Sequence, residues 1–231
     1  MAVIAKTSGW RMAGCAGVLA AALAGCKSTS QSLYDLRTEG DVQYRGNRYE
    51  LAERAYAKYI EIEPGNHEMR YALGKTLVKL NRPSEAAEHL RVAYSQRPNR
   101  GEYADALVEA MVASNQRDEL FRLLRANAND RNTTEDWMRL GRAALAMGDS
   151  DTAQTALLTA ARIDKGRSHE PQLGLCDLYR SIGKRDQAIR RLRMAYYLAP
   201  LNSDVLLRGR QLELKLEPGV GLVPEEFEAA R

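Results

Sequence analysis

The sequence predicts an all-α fold, a right-handed α-solenoid of about five helix pairs closed by a C-terminal capping helix. Three observations predict it. The apolar residues are mainly Ala and Leu with an aromatic share of only 6%, a mixture that favours helix over strand. A small or apolar residue recurs at Ala52, Ala86, Leu120, Ala153 and Ala188, in steps of 34, 34, 33 and 35 residues. Turn-forming residues and prolines punctuate the chain at matching intervals. A hydrophobic content of 45% in 231 residues is ordinary for a globular chain, so disorder is excluded as the main state.

The N-terminal part divides into three. Residues 1–11 carry Lys6 and Arg11 without an acidic residue, residues 12–25 are small or apolar, and a polar run from Lys27 to Ser32 follows. This is the layout of a secretory signal. As a helix, residues 12–25 would reach about 21 Å, short of the ~30 Å hydrocarbon core, which argues against a permanent span. The run closes in Leu23-Ala24-Gly25-Cys26, which resembles a bacterial lipobox: two small residues that fit a peptidase cleft before a thiol that accepts the lipid. An ordinary cleavage nearby and an uncleaved anchor are the other readings. Cys15 is a weaker match, since Arg11 interrupts the apolar residues before it. The resemblance implies acylation at Cys26 and membrane attachment through more than one chain. Lys27 is not the Asp that holds many lipoproteins in the inner membrane, which implies the periplasmic face of the outer membrane. Only Cys176 would then remain as a free thiol, so no internal disulfide is expected.

The repeating part begins near Tyr34. Four residues after each marker stand Tyr56, Leu90, Leu124, Leu157 and Leu192, and three further on Tyr59, Ala93, Asn127, Ala160 and Ala195. The i, i+4, i+7 spacing gathers each set on one face of a second helix. Pro64, Pro98 and Pro200, each five residues on, stop three of these helices. First helices carry Leu73-Gly74, Leu140-Gly141 and Leu175-Cys176, a large residue beside a small one that allows close approach; Gly40 with Leu36, and Trp137, hold related places. Gly46-Asn47, Asn81-Arg82-Pro83, Asn115-Gln116, Gly148-Asp149 and Gly183-Lys184 supply turns inside the pairs.

This pattern resembles the tetratricopeptide repeat, whose helix pair sets Trp, Leu-Gly, Tyr, Ala, Phe, Ala and Pro at fixed offsets in 34 residues. The expected organisation is a signal over 1–25, a polar tether over 26–33 and a repeat domain over 34–217. Its units are 33–66, 67–100, 101–133, 134–168 and 169–202, with a cap over 203–217 and a tail over 218–231. The capping helix is expected over about 204–216 with Ser203 as its N-cap, and the tail is read as a short acidic, solvated stretch. Unit three departs from the pattern, with Val108 for glycine, Leu120 and Asn127 for alanines and Asn132 for proline. Either it has merely diverged or it bends the superhelix.

The formal charge of +4 raises a nucleic-acid partner, but removing residues 1–25 halves the excess, and no clustered basic surface is evident. His67, His89 and His169 match no metal spacing, and no phosphate loop, nucleophile elbow or Cys-x-x-Cys occurs. Cys176 reads as a small buried residue between paired helices. No enzymatic activity, cofactor, metal or small-molecule substrate is therefore expected.

The resemblance implies a groove lined by first helices. Its residues would be Tyr34, Arg37, Asp41, Tyr44, Glu68, Tyr71, Lys75 and Lys79, leading to an acidic stretch of Glu102, Asp105 and Glu109. Arg37, Tyr44, Tyr71 and Lys75 are the expected partner contacts, since Tyr and Arg are over-represented at interface hot spots. They do not reproduce the two-carboxylate clamp of chaperone-binding relatives. The layout of lipobox and about five repeats is similar to pilus-assembly lipoproteins of the tight-adherence (Flp, TadD) and type IV types. It implies an anchored adaptor for protein partners of an envelope machine. The alternative is a structural lipoprotein associated with peptidoglycan or exopolysaccharide, for which the aromatic platforms are few: outside the signal, Trp137 is the only tryptophan.

Overall fold

The computed structural model describes residues 32–228, and among these every regular element is helical. The expected signal, Cys26 and most of the expected tether lie outside the described residues. Five pairs follow one another: α1 (Leu33–Arg45) with α2 (Tyr49–Ile62), α3 (His67–Lys79) with α4 (Pro83–Gln96), α5 (Gly101–Ala113) with α6 (Arg117–Arg131), α7 (Thr134–Ala146) with α8 (Ser150–Asp164), and α9 (Glu170–Ser181) with α10 (Arg185–Leu198). Each helix packs on its neighbours in sequence, and one continuous core runs along the stack. A single pair has too little apolar surface facing inward to stand alone, so stacking supplies the rest.

Within every pair the turn is built the same way. Asn47, Asn81, Asn115, Gly148 and Gly183 take positive φ, between 55° and 74°. The next amide then returns to a carbonyl five residues back, as in Arg82 N to Leu77 O (2.9 Å) and Asp149 N to Ala144 O (2.8 Å). Asn and Gly are the residues that tolerate this left-handed cap. Second helices end in two ways. Before Pro64, Pro98 and Pro200 the helix stops two residues early, because the residue ahead of a proline is pushed from helical angles. Units three and four lack that proline; there Asn132 (φ 48°) and Lys165 (φ 56°) close the helix in the left-handed region instead.

The glycines set the spacing of the paired helices. A methyl carbon added at Gly74 would sit 2.5 Å from Leu90 Cγ, and one at Gly141 would sit 2.6 Å from Leu157 Cγ; Gly40 is filled in the same way by the Tyr56 ring. Leu90 and Leu157 are fully buried in consequence. Unit three has Val108 at this place, and its two helices are the most loosely associated of the five pairs: α6 packs more extensively on α7 than on α5. Buried on α5 are Tyr103, whose ring turns to α3, Leu107 and Met111, and on α6 Leu120, Phe121 and Leu124. Unit three thus departs in its packing as well as in its residues.

Two expectations for the C-terminal end are corrected. The capping helix α11 is Ser203–Gln211, and its N-cap is Asn202, not Ser203: the Asn202 carboxamide oxygen accepts from Asp204 N (2.9 Å) and Val205 N (3.2 Å). The helix ends at Gln211 because Leu214 N turns back to Gly209 O, which lets Leu216 pack where a Gly209 side chain would be. Nor is the stretch after Pro218 a free acidic tail up to residue 228. Leu222 N donates to Arg193 O (3.0 Å) and Arg193 Nε to Val220 O (2.6 Å), laying the segment along α10. A short helix, α12 (Glu225–Glu228), then meets α8.

Candidate functional site

The first helices α1, α3 and α5 bring three of the four expected contact residues together. Tyr44, near the end of α1, meets Tyr49 edge-on at 5.5 Å between ring centroids. The Lys75 ammonium of α3 lies 5.5 Å from the Tyr44 ring centre and 5.3 Å from that of Tyr71. Tyr71 in turn stacks on Tyr103 of α5, with centroids 4.6 Å apart and planes 28° from parallel. The result is an aromatic and cationic row that crosses three successive repeats, each ring half-buried or more. Such cation–π and stacking contacts fix flat, amphipathic surfaces at little conformational cost on binding.

Arg37, the fourth expected contact, lies two turns before Tyr44 on α1 and pairs with Glu68 of α3 at 3.2 Å. Both side chains remain about half exposed. Tyr103 was not expected from the sequence. Its hydroxyl meets His67 Nδ1 at 2.9 Å and accepts from Arg100 at 3.2 Å, which anchors the row from behind. The repeat hides it: Tyr103 stands 34 residues after Met69, a buried core position, so periodicity assigns it to the packing stripe and not to the groove. Burial raises the Tyr44, Tyr71 and Tyr103 hydroxyls above the ordinary tyrosine range, helped at Tyr44 by Tyr49 and Glu109. The row therefore presents neutral hydroxyls at any physiological pH.

In the acidic stretch Asp105 stays half-exposed and is paired, accepting from Arg139 Nε of α7 at 2.7 Å. Arg139 is buried, and it also donates to Asp136 (2.9 Å) and Glu135 (2.8 Å). Burial opposes its charge, yet these carboxylates raise its pKa above the usual guanidinium value. The i, i+3 and i, i+4 spacing of Asp136 and Glu135 to Arg139 was visible in the sequence; the reach to Asp105 was not. Glu102 lies 3.6 Å from Arg100. Beside this network a recess of about 530 Å³ opens between α5 and α7, floored by Val108, Val112, Ala143 and Ala146 and edged by Glu109 and Arg142.

The histidines are dispersed: His67 on Tyr103, His89 beside Arg70 and His169 beside Glu170. Burial and Arg70 lower the His89 pKa, which keeps it neutral at pH 7. Among the described residues no group of three potential ligands could hold a metal. Cys176 is fully enclosed between α9 and its neighbours, and burial pushes its thiol up to about 12, which leaves it unreactive. No helix among the described residues is long and apolar enough to cross a membrane.

Two tetratricopeptide repeat models match the sequence, one over residues 37–101 and one over 137–167. The chain carries tetratricopeptide repeats. The stretch between the two matches holds unit three, the pair whose glycine is replaced. No curated protein matches the chain in sequence. Among solved structures it is similar to TTC0263, a thermophilic tetratricopeptide protein of Thermus thermophilus, at 21% identity and a TM-score of 0.55, covering 79% of this chain and 99% of that one. It is also similar to PilW, described as a widely conserved type IV pilus biogenesis factor, at 13% identity and a TM-score of 0.58 over 79% and 84% of the two chains. A third, pilF of Pseudomonas aeruginosa, aligns at 17% identity and a TM-score of 0.53 over 78% and 82%. At these identities the likeness is one of fold. As a tetratricopeptide array the chain is a scaffold for protein interaction, a class that is generally non-catalytic.

Proposed function

We propose that this chain is a membrane-anchored adaptor that docks a protein partner along its first-helix groove during assembly of a cell-envelope machine. The observation that carries the docking is the row Tyr44, Lys75 and Tyr71, a partly exposed surface on α1 and α3 backed by the buried Tyr103 of α5. Anchoring rests on Leu23-Ala24-Gly25-Cys26 in the sequence, with Cys26 as the acylated residue and the periplasmic face of the outer membrane as the location. A pilus or secretion apparatus is the favoured machine, supported by layout and by the fold shared with a type IV pilus biogenesis factor.

Two measurements test the two halves separately. Photocrosslinking in intact cells from a probe at position 34, beside the groove, should trap an envelope protein. Tyr71→Ala combined with Lys75→Glu should reduce that yield at least tenfold; an unchanged yield removes the groove from the proposal. Metabolic labelling with a radioactive fatty acid should mark the wild type and not Cys26→Ser, and equal labelling of both would refute the anchor.

A further inference from the structure

A second candidate site lies on the opposite set of helices. Between α8, α10 and the C-terminal segment is a recess of about 980 Å³, bordered by Leu158, Arg162, Lys165, Arg191, Glu225 and Glu226. One side of it already holds a peptide. Arg191, whose side chain is only 9% exposed, donates to Glu226 at 2.6 Å and to Gln172 at 2.9 Å, and Gln172 donates to the other Glu226 oxygen at 3.0 Å. Arg190 pairs with Glu225 at 2.8 Å. Gly166 completes the seat, since a methyl carbon there would lie 2.8 Å from Pro224.

The charge is not balanced within this recess. Three cations, Arg162, Lys165 and Arg191, line it with two carboxylates that pair with Arg190 and Arg191, and the two cations on the α8 side have no carboxylate partner among the described residues. Among the described residues the Arg162 guanidinium bonds to Thr159 of its own helix. Lys165, held at the helix end with positive φ, projects into solvent. The volume exceeds what one ion needs and suits a short peptide. The surface already seats one acidic segment of the chain itself, the short helix α12, whose consecutive glutamates follow Pro224.

We infer that this recess is a second docking site, for an acidic peptide segment of a protein partner, with Arg162 and Lys165 as its open contacts and the chain's own Glu225-Glu226 as the wall beside it. The site is distinct from the tyrosine row, so one scaffold can hold two partners at once. The surplus charge also steers acidic segments toward it, an effect that weakens as salt screens it.

The test uses the full chain and a fluorescent peptide copying residues 222–228, read by anisotropy. Binding should be saturable and should weaken with added salt. Arg162→Glu with Lys165→Glu should weaken it at least tenfold; both side chains are exposed, and unchanged circular dichroism will show that the fold persists. The neutral pair Arg162→Gln with Lys165→Gln should give an intermediate loss, and Tyr71→Ala should leave binding as in the wild type. Equal binding of a copy with every glutamate replaced by glutamine would overturn the inference, as would unchanged binding by the reversed variant. Capture of anionic vesicles with no peptide binding would overturn it in favour of a lipid surface.

Discussion

The third and fourth helix pairs solve the same packing problem differently. In the fourth, Gly141 lets Leu157 reach the backbone of α7, and the pair closes around fully buried alanines and leucines. In the third, Val108 blocks that approach; α5 and α6 separate, and α5 is tied forward to α7 through Arg139 and Asp105. A close-packed seam depends on shape and a charged tie on geometry and pH, so the two pairs should fail under different perturbations.

The largest expected effect falls on the closed seam. Leu157→Ala should cost about 2–5 kcal/mol, because the surrounding helices are pinned and cannot collapse into the cavity. Leu124→Ala, at the matching place in the looser pair, should lie at the low end of that range. Denaturant unfolding followed by circular dichroism measures both, and equal losses would break the comparison.

Gly141→Ala sharpens it at smaller scale. The new methyl would overlap Leu157 Cγ and Cδ2 at 2.6 and 2.7 Å, an overpacking expected to cost about 1–3 kcal/mol despite alanine's better helix propensity. Val108→Ala removes two methyls from a half-buried position and should cost less than about 1 kcal/mol. Midpoints from the same unfolding curves decide the order, and a Val108→Ala loss as large as that of Gly141→Ala would show that the third seam is packed as tightly as the others.

Much of this contrast was readable in the residues. Leu73-Gly74 and Leu140-Gly141 announced close pairs, and Asn or Gly at the turns announced their caps, because these are local demands that one or two positions satisfy. Val108 marked the departure. What escaped were contacts joining distant positions. The pairing of Asp105 is one, because its partner Arg139 lies 34 residues on. Glu225 and Glu226 looked solvated because no periodicity links them to Arg190 or Arg191. That Tyr44, Tyr71 and Lys75 share one face followed from their offset to the packing stripe; the place of Tyr103 beside them did not, since it comes from stacking across repeats.

Arg139→Met tests the charged tie itself. The buried Asp136 would keep Arg131 (2.6 Å) and Thr133 (2.7 Å) but lose its other donor, and Asp105 would be released. A loss of about 1–3 kcal/mol is expected for a charge-assisted network of this kind. Hydrogen exchange locates the effect: amides of α5 and α7 near the tie should exchange faster while those of the α7–α8 seam hardly change. Uniform acceleration across all pairs would mean that the third unit has no separate link.

The smallest effect, and the one most specific to charge, is the pH response of the C-terminal segment. Burial disfavours the ionised Glu226, but the Arg191 guanidinium, a backbone amide and Gln172 outweigh it and hold the carboxyl below the ordinary carboxylate range. A depressed folded pKa means that the unfolded segment binds protons more readily. The pairing therefore stabilises the docked segment fully above the unfolded value near 4.3, and that contribution is lost as pH falls through the lower folded value. Limited proteolysis between pH 7 and pH 3, with an acid-tolerant protease, should show cleavage near Val223 rising in the acid arm. In the glycine-closed fourth pair the comparable carboxylate is Asp149, held low chiefly by its bond from the Thr152 backbone amide at the α8 cap, so acid should loosen that turn while the Leu157 seam resists until global unfolding. Glu226→Gln should remove the pH dependence of cleavage near Val223, and a variant that keeps it would locate the sensitive group elsewhere.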